Sequence, residues 1–194
     1  MNFFKKLFKT KESSSEDNIS EEPKEKLSLD DFFVHNFIEK GGKFIYCTHL
    51  NEVRENLKNI LEENNWETIT CMNHHLAQYI PSLEIQYDYR EDSPIFTACE
   101  QLIAHDGSIL LSSNQLKDNK IDKLPKNFII YATTSQIVQN SGESLTSIKN
   151  KYKNNIPSNI SAIKSYKLHD DTEDDLTRNN NNAKNLYLLL FEDL

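Results

Sequence analysis

Between residues 44 and 71 two short β-prone runs flank a stretch patterned as a helix, and that order limits the possible folds more than any other feature of the chain. Phe44-Ile45-Tyr46-Cys47 reads as a buried strand and Thr68-Ile69-Thr70-Cys71 as a second one. Between them Leu50, Val53, Leu57, Ile60 and Leu61 fall on one face at helical spacing, with Thr48 placed to cap the helix start and Asn64-Asn65 placed to stop it. Strand, helix, strand over so short a distance predicts a parallel βαβ unit with a right-handed crossover. The expected fold class is therefore α/β, a mostly parallel sheet flanked by helices.

The rest of the chain fits one such domain. At 194 residues there is material for one sizeable core, since domains run to about 100 to 200 residues. Residues 1–27 are too polar after Phe8 to bury much surface and read as a tail, with the folded domain spanning 28–194. Within the tail, Phe3-Phe4-Lys5-Lys6-Leu7-Phe8-Lys9 mixes aromatic and basic residues and suits a weak membrane or partner contact. Ser28-x-x-Asp31 resembles a capping box ahead of Phe32, Phe33 and Phe37, and Gly41-Gly42 marks that helix's end. Leu83, Ile85 and Tyr87 alternate with polar residues, as in a strand near a sheet edge. His105-Asp106-Gly107-Ser108 separates two apolar runs and predicts a tight hairpin turn. Strands are expected at 127–132, 160–166 and 186–191. A helix carrying Leu145, Ile148 and Tyr152 precedes the second of these, and an acidic, Asn-rich loop fills 170–182.

Composition removes several function classes. Lys plus Arg total 22 against 30 acidic residues, a net charge of −8, which repels nucleic acid. Six lysines and six acidic residues cancel within 1–27, so the whole negative charge belongs to the domain. Cys47, Cys71 and Cys99 are too few and too scattered for a disulfide scaffold, which fits a reducing compartment. No stretch approaches the length of a membrane span and no secretory signal is evident, so a cytoplasmic location is expected.

Chemical motifs are sparse. His74-His75 is the one adjacent pair among scattered histidines, and neighbouring side chains diverge, so no metal site is expected there. The acidic run Asp170, Asp171, Glu173, Asp174 and Asp175 lacks the order of a calcium loop. Four glycines, in neither a dinucleotide nor a Walker pattern, leave nothing to cradle phosphates. No serine sits in a nucleophile elbow. No cofactor is expected.

Three segments ask for more than packing. They are 97–111, which contains Thr97-Ala98-Cys99-Glu100 and Asp106-Gly107-Ser108; then Pro157-Ser158-Asn159-Ile160; then Asn185-Leu186-Tyr187-Leu188-Leu189-Leu190. Together they resemble the LUD (lactate-utilisation) domain family over residues 94–191. Thr97 stands at the motif's threonine, Glu100 at its aspartate, Gly107 at its glycine, Ser108 at the following threonine, and Pro157-Ser158 at its proline and serine. The departures are Ala98 for a glycine, His105 and Asp106 for glutamate and threonine, Ile156 for a glycine, and 179–183 where G-x-H-G-P is expected.

The resemblance implies a fold similar to the sugar-phosphate isomerase and CoA-transferase group, with ligands beyond the carboxyl ends of the strands. It also implies an accessory role in oxidising lactate, or a related 2-hydroxy acid, to pyruvate beside iron-sulfur partner proteins. Three cysteines cannot supply the four thiolates that such a cluster usually takes. The implied site for a small carboxylate comprises Thr97, Glu100, Asp106, Gly107, Ser108, Pro157 and Ser158, with Glu100 orienting the donors or acting as base. It requires the Asp-Gly and Pro-Ser bends to meet at one mouth of a single sheet. The alternative is a non-catalytic protein-interaction module with a degenerate ligand site. A transferase- or isomerase-like enzyme is a third reading, on fold analogy alone.

Overall fold

A computed structural model describes residues 27–81, 83–167 and 183–193. The tail proper, the acidic loop and most of the 179–183 motif position lie outside the described residues.

Each early element starts and stops where local chemistry dictates. Helix α1 (Leu29–Glu39) begins at Ser28, whose hydroxyl accepts from the Asp31 N–H and donates to the Asp31 carboxylate. It ends as Gly41, at φ +89°, turns the chain so that the Gly42 N–H reaches the Phe37 carbonyl. Strand β1 (Lys43–Cys47) leads into helix α2 (Leu50–Glu63). The cap is one residue later than the sequence suggests. His49 is the N-cap, and the Glu52 carboxylate reaches back to the N–H groups of both Thr48 and His49 at 2.6 and 3.2 Å. Val53, Leu57, Ile60 and Leu61 are buried, while Leu50, at the exposed first turn, is not. Asn65, at φ 54°, ends α2 in the left-handed region that asparagine tolerates.

The remaining elements are β2 (Thr68–Thr70), α3 (His74–Ala77), β3 (Glu84–Gln86), β4 (Ile95–Ala98), β5 (Gln101–Ile103), β6 (Ser108–Leu111) and α4 (Ser113–Leu116). They are followed by a 3-10 turn (Ile121–Lys123), β7 (Asn127–Thr133), a second 3-10 turn (Thr134–Gln136), β8 (Ile137–Val138), α5 (Ser141–Tyr152), β9 (Ser161–Ile163) and β10 (Asn185–Phe191). Six strands form an all-parallel sheet in the order β1-β10-β7-β4-β2-β3. The βαβ unit is there, with a difference: β1 and β2 do not pair but are separated by β10, β7 and β4. Strand β3 is an edge, in keeping with its wet face.

A second sheet is what the sequence does not announce. Strands β8, β5, β6 and β9 form it, with β5 and β6 as the antiparallel hairpin around Asp106-Gly107. The molecule is thus layered. Helices α2 and α3 cover one face of the large sheet through Leu57, Ile60, Ile69, Phe96 and Leu189. The other face packs on α1 and the small sheet through Phe33, Phe37, Leu102, Ile109, Phe128 and Leu188. Helix α5 closes the small sheet's outer face through Ile148, Ile103 and Leu110. Alternation along β4 and β10 sends successive side chains to opposite faces, which is why both strands read as unbroken apolar runs.

Tyr166 links these layers. Its ring packs on Phe37 with centroids 4.5 Å apart, and its hydroxyl donates to the Gly107 carbonyl at 2.7 Å. Tyr166→Phe is expected to cost about 1–2 kcal/mol, read as a lower urea midpoint at unchanged slope.

Candidate functional site

In an open parallel sheet, ligands gather beyond the carboxyl ends of the strands where neighbouring chain exits diverge. Here that point lies between β2 and β4. The chain leaving β2 passes to α3 on one face, and the chain leaving β4 passes to the small sheet on the other. Glu100 follows β4 directly, at this divergence.

Glu100 is the centre of a buried polar cluster. Its side chain is 1 % exposed. Oε1 accepts from the Ser112 hydroxyl at 2.7 Å, the Asn114 amide at 2.8 Å and the Gln115 amide at 3.2 Å. Oε2 accepts from the Tyr152 hydroxyl at 2.9 Å, with the Lys151 ammonium 3.6 Å away. Burial alone would favour the neutral acid, yet the hydrogen bonds from Ser112, Asn114, Tyr152 and Gln115 outweigh it and hold the pKa below the ordinary carboxylate value. Such a group is ionised and fully engaged. It is a poor general base, because a base needs a free lone pair and a pKa near the working pH.

The donors to the carboxylate come from two helices, and a third segment braces the backbone beside it. Ser112 caps α4 and pairs with Gln115 in a capping box, so α4 is oriented toward Glu100 by its own first turn. Tyr152 and Lys151 come from the last turn of α5. Gln136, after β7, donates to the Cys99 carbonyl at 2.8 Å and so ties the exits of β7 and β4 together.

The proposed site residues divide into two groups. Thr97 lies in β4, buried, three residues before Glu100. Ser158 is exposed, and its carbonyl accepts from the Ser113 N–H at 2.8 Å, so Pro157-Ser158 lies beside Glu100's end of β6. Asp106, Gly107 and Ser108 do not. They open β6 at its far end, about 13 Å away along the strand. The two bends therefore do not meet, and the single mouth expected from the motif order is corrected to two separate places.

The physical reason is that an antiparallel hairpin puts its turn at the end of β6 opposite to the strand's junctions with Glu100 and Ser113. Around Gly107 the chemistry is structural. The Asp106 carboxylate accepts from the Ser108 N–H and hydroxyl at 3.1 and 2.6 Å, and its carbonyl accepts from Lys40. A Cβ on Gly107 would stand 2.5 Å from the Phe37 nitrogen. Its glycine serves close packing on α1.

Two further carboxylates at the carboxyl end are also satisfied internally. Asp193 accepts from the Thr134 hydroxyl, the Ser135 N–H and the Ser135 hydroxyl at 2.8, 3.0 and 2.6 Å. Partial burial opposes its ionisation, but those bonds prevail and bring its pKa to about 2. Glu52 engages Thr48 and His49 as described, and those backbone bonds lower its pKa. The donors of Ser112, Asn114, Gln115, Tyr152, Thr134 and Ser135 are thus occupied by the chain's own carboxylates.

Sequence reasoning missed Ser112, Asn114, Gln115, Gln136, Lys151 and Tyr152. The Ser112-x-x-Gln115 spacing was the available signal. Neither His74 nor His75 joins a cluster, and among the described residues no three His, Cys, Asp or Glu side chains are grouped to hold a metal ion. All three cysteines are buried and unpaired, and burial pushes each thiol's pKa up.

The LUD domain family model matches residues 94–191, just over half of the chain, running from the start of β4 to the end of β10 and taking in Glu100 and both bends. The chain belongs to the LUD domain family. The LUD domain here also has a structural likeness to the crystal structure of a DUF162 family protein from Deinococcus radiodurans, at 12 % sequence identity and a TM-score of 0.60, covering 86 % of this chain and 99 % of that one. At that identity the likeness speaks for the fold alone. No curated protein matches the chain. Among the described residues of this LUD domain no helix is long and apolar enough to cross a membrane.

Proposed function

We propose that this LUD-domain chain is an accessory, non-redox component in the oxidation of lactate or a related 2-hydroxy acid to pyruvate, working beside iron-sulfur partner proteins in the cytoplasm. Membership of the family carries this reading. The division of labour follows from the cysteines: electron transfer belongs to partners, because three separate buried thiols cannot hold a cluster that takes about four. Affinity purification of the full chain from native lysate, grown on lactate, tests it. Co-recovery of cysteine-rich iron-sulfur proteins is expected, and recovery of unrelated partners alone would sink the lactate assignment.

A second reading, a partner-binding module with a degenerate ligand site, is favoured by one observation: Glu100 has both oxygens filled by the chain's own donors. It also gains from the placement of Gly107, far from Glu100 and against α1. The readings differ in what the carboxyl-end mouth does. Calorimetric titration of the protein with lactate, pyruvate and phosphate is expected to give no heat if the module reading holds. Saturable heat with lactate or pyruvate would instead restore direct substrate binding.

A further inference from the structure

At the opposite end of the large sheet, on the α2 side, a cavity of about 660 Å³ opens between the last turns of α2 and the chain entering β2 and β3. Leu61, Trp66, Pro81 and Leu83 give it an apolar lining, and Lys58, Glu62 and Glu67 bring charge to it. Lys58 is paired with Glu62 at 3.5 Å, so the charge left over at the cavity is that of Glu67. The result is a half-open apolar recess with the Glu67 carboxylate at its rim, at the other end of the large sheet from Glu100.

Residues 2–9 of the same chain have the complementary chemistry. Asn2-Phe3-Phe4-Lys5-Lys6-Leu7-Phe8-Lys9 carries three phenylalanines, one leucine and three lysines, with no acidic residue. Phe4, Leu7 and Phe8 stand at three- and four-residue spacing, which suits a single apolar contact face. Residues 10–27 are polar, with Ile19 and Leu27 their sole bulky apolar residues. Reach is sufficient. The stretch from Lys9 to Leu27 spans up to about 60 Å when extended, against a domain of this size about 40 Å across.

We infer that the recess beside Trp66 is a docking site for residues 2–9 of its own chain, with the phenylalanines against Leu61, Trp66 and Leu83 and the lysines toward Glu67 and Glu62. The site is independent of the lactate reading. Apolar burial supplies the attraction, and the opposite charges select this recess over other surface.

Trp66 is the chain's single tryptophan, so its fluorescence reports on the recess alone. The test compares the full wild-type chain with a Phe4→Ser/Phe8→Ser variant, whose changes lie outside the packed core. The expected result is a red-shifted emission maximum and stronger acrylamide quenching in the variant, independent of protein concentration. Identical emission from the two proteins would overturn the inference. Carbodiimide coupling on a mixture of ¹⁴N- and ¹⁵N-labelled chains provides a second readout. Links from Lys5 or Lys6 to Glu62 or Glu67 within one isotope are expected. Links found only between isotopes would show a second copy as the occupant and would overturn it. A wild-type difference that arises only with anionic phospholipid vesicles would assign residues 2–9 to a membrane and overturn it equally.

Discussion

Glu100→Ala is expected to destabilise the protein by about 3–5 kcal/mol, because it removes the acceptor shared by a buried set of donors and leaves them without partners. The Ser112 hydroxyl, the Asn114 and Gln115 amides and the Tyr152 hydroxyl all lose their common carboxylate. In a chain of this size that corresponds to a fall in Tm of about 10 °C, measurable by differential scanning calorimetry. Glu100→Gln keeps one acceptor oxygen and is expected to lose less. The same residue sets an acid limit. Its folded pKa lies below the unfolded value of about 4.3, so its stabilisation is complete above that pH and disappears as the pH falls through the folded pKa. Chemical denaturation from pH 6 downward should show wild type losing stability below about pH 4.3 more steeply than Glu100→Gln. Parallel profiles would remove Glu100 from this role.

Gly107→Ala is expected to cost about 3 kcal/mol or more. Two effects act together. The residue sits at φ +62°, and the added methyl would stand 2.5 Å from the Phe37 nitrogen and 2.6 Å from the Asn36 carbonyl carbon. These are backbone atoms of α1, which cannot yield as the tip of a side chain would. Gly107→Asn separates the two effects, since asparagine tolerates the backbone angle but meets the same helix. Both variants should unfold at lower denaturant. A glycine lining a ligand site would behave otherwise, keeping its melting temperature and losing affinity, and that result would reinstate Gly107 as a binding residue.

Those outcomes bear on how far the sequence alone could reach. Features decided within a few residues were legible. Gly41-Gly42 and Asn64-Asn65 stop their helices, Asp106-Gly107 turns its hairpin, and Leu83-Ile85-Tyr87 marks an edge, because each depends on local torsion or on one strand's alternation. Pairing over long separations was not. Nothing in residues 44–47 or 68–70 says that three other strands come between them, and Ile137–Val138 is too short to stand out as a strand at all. Sheet number suffered for the same reason. Strands β4 and β5 are separated only by Cys99 and Glu100, and that two-residue break transfers the chain from one sheet to the other. The family motif drew attention to Glu100, which the fold makes the centre of a buried polar cluster. Its donors stayed hidden because Ser112, Asn114 and Gln115 look like loop composition and Tyr152 looks like one more apolar position on α5. The ring of Tyr152 does pack in the small sheet's outer core, while its hydroxyl extends to the carboxylate.

Strand β10 has one more consequence, for how the chain comes off the ribosome. Residues 185–191 fill an interior lane of the large sheet, hydrogen-bonded to β1 on one flank and to β7 on the other. Until they emerge, β1 has no neighbour and β7 offers a bare apolar edge, so a nascent chain has to carry most of its hydrophobic sequence unsheltered. Assembly of the large sheet is thereby deferred until residues 185–191 have been made, and no fragment stopping short of residue 185 can complete it.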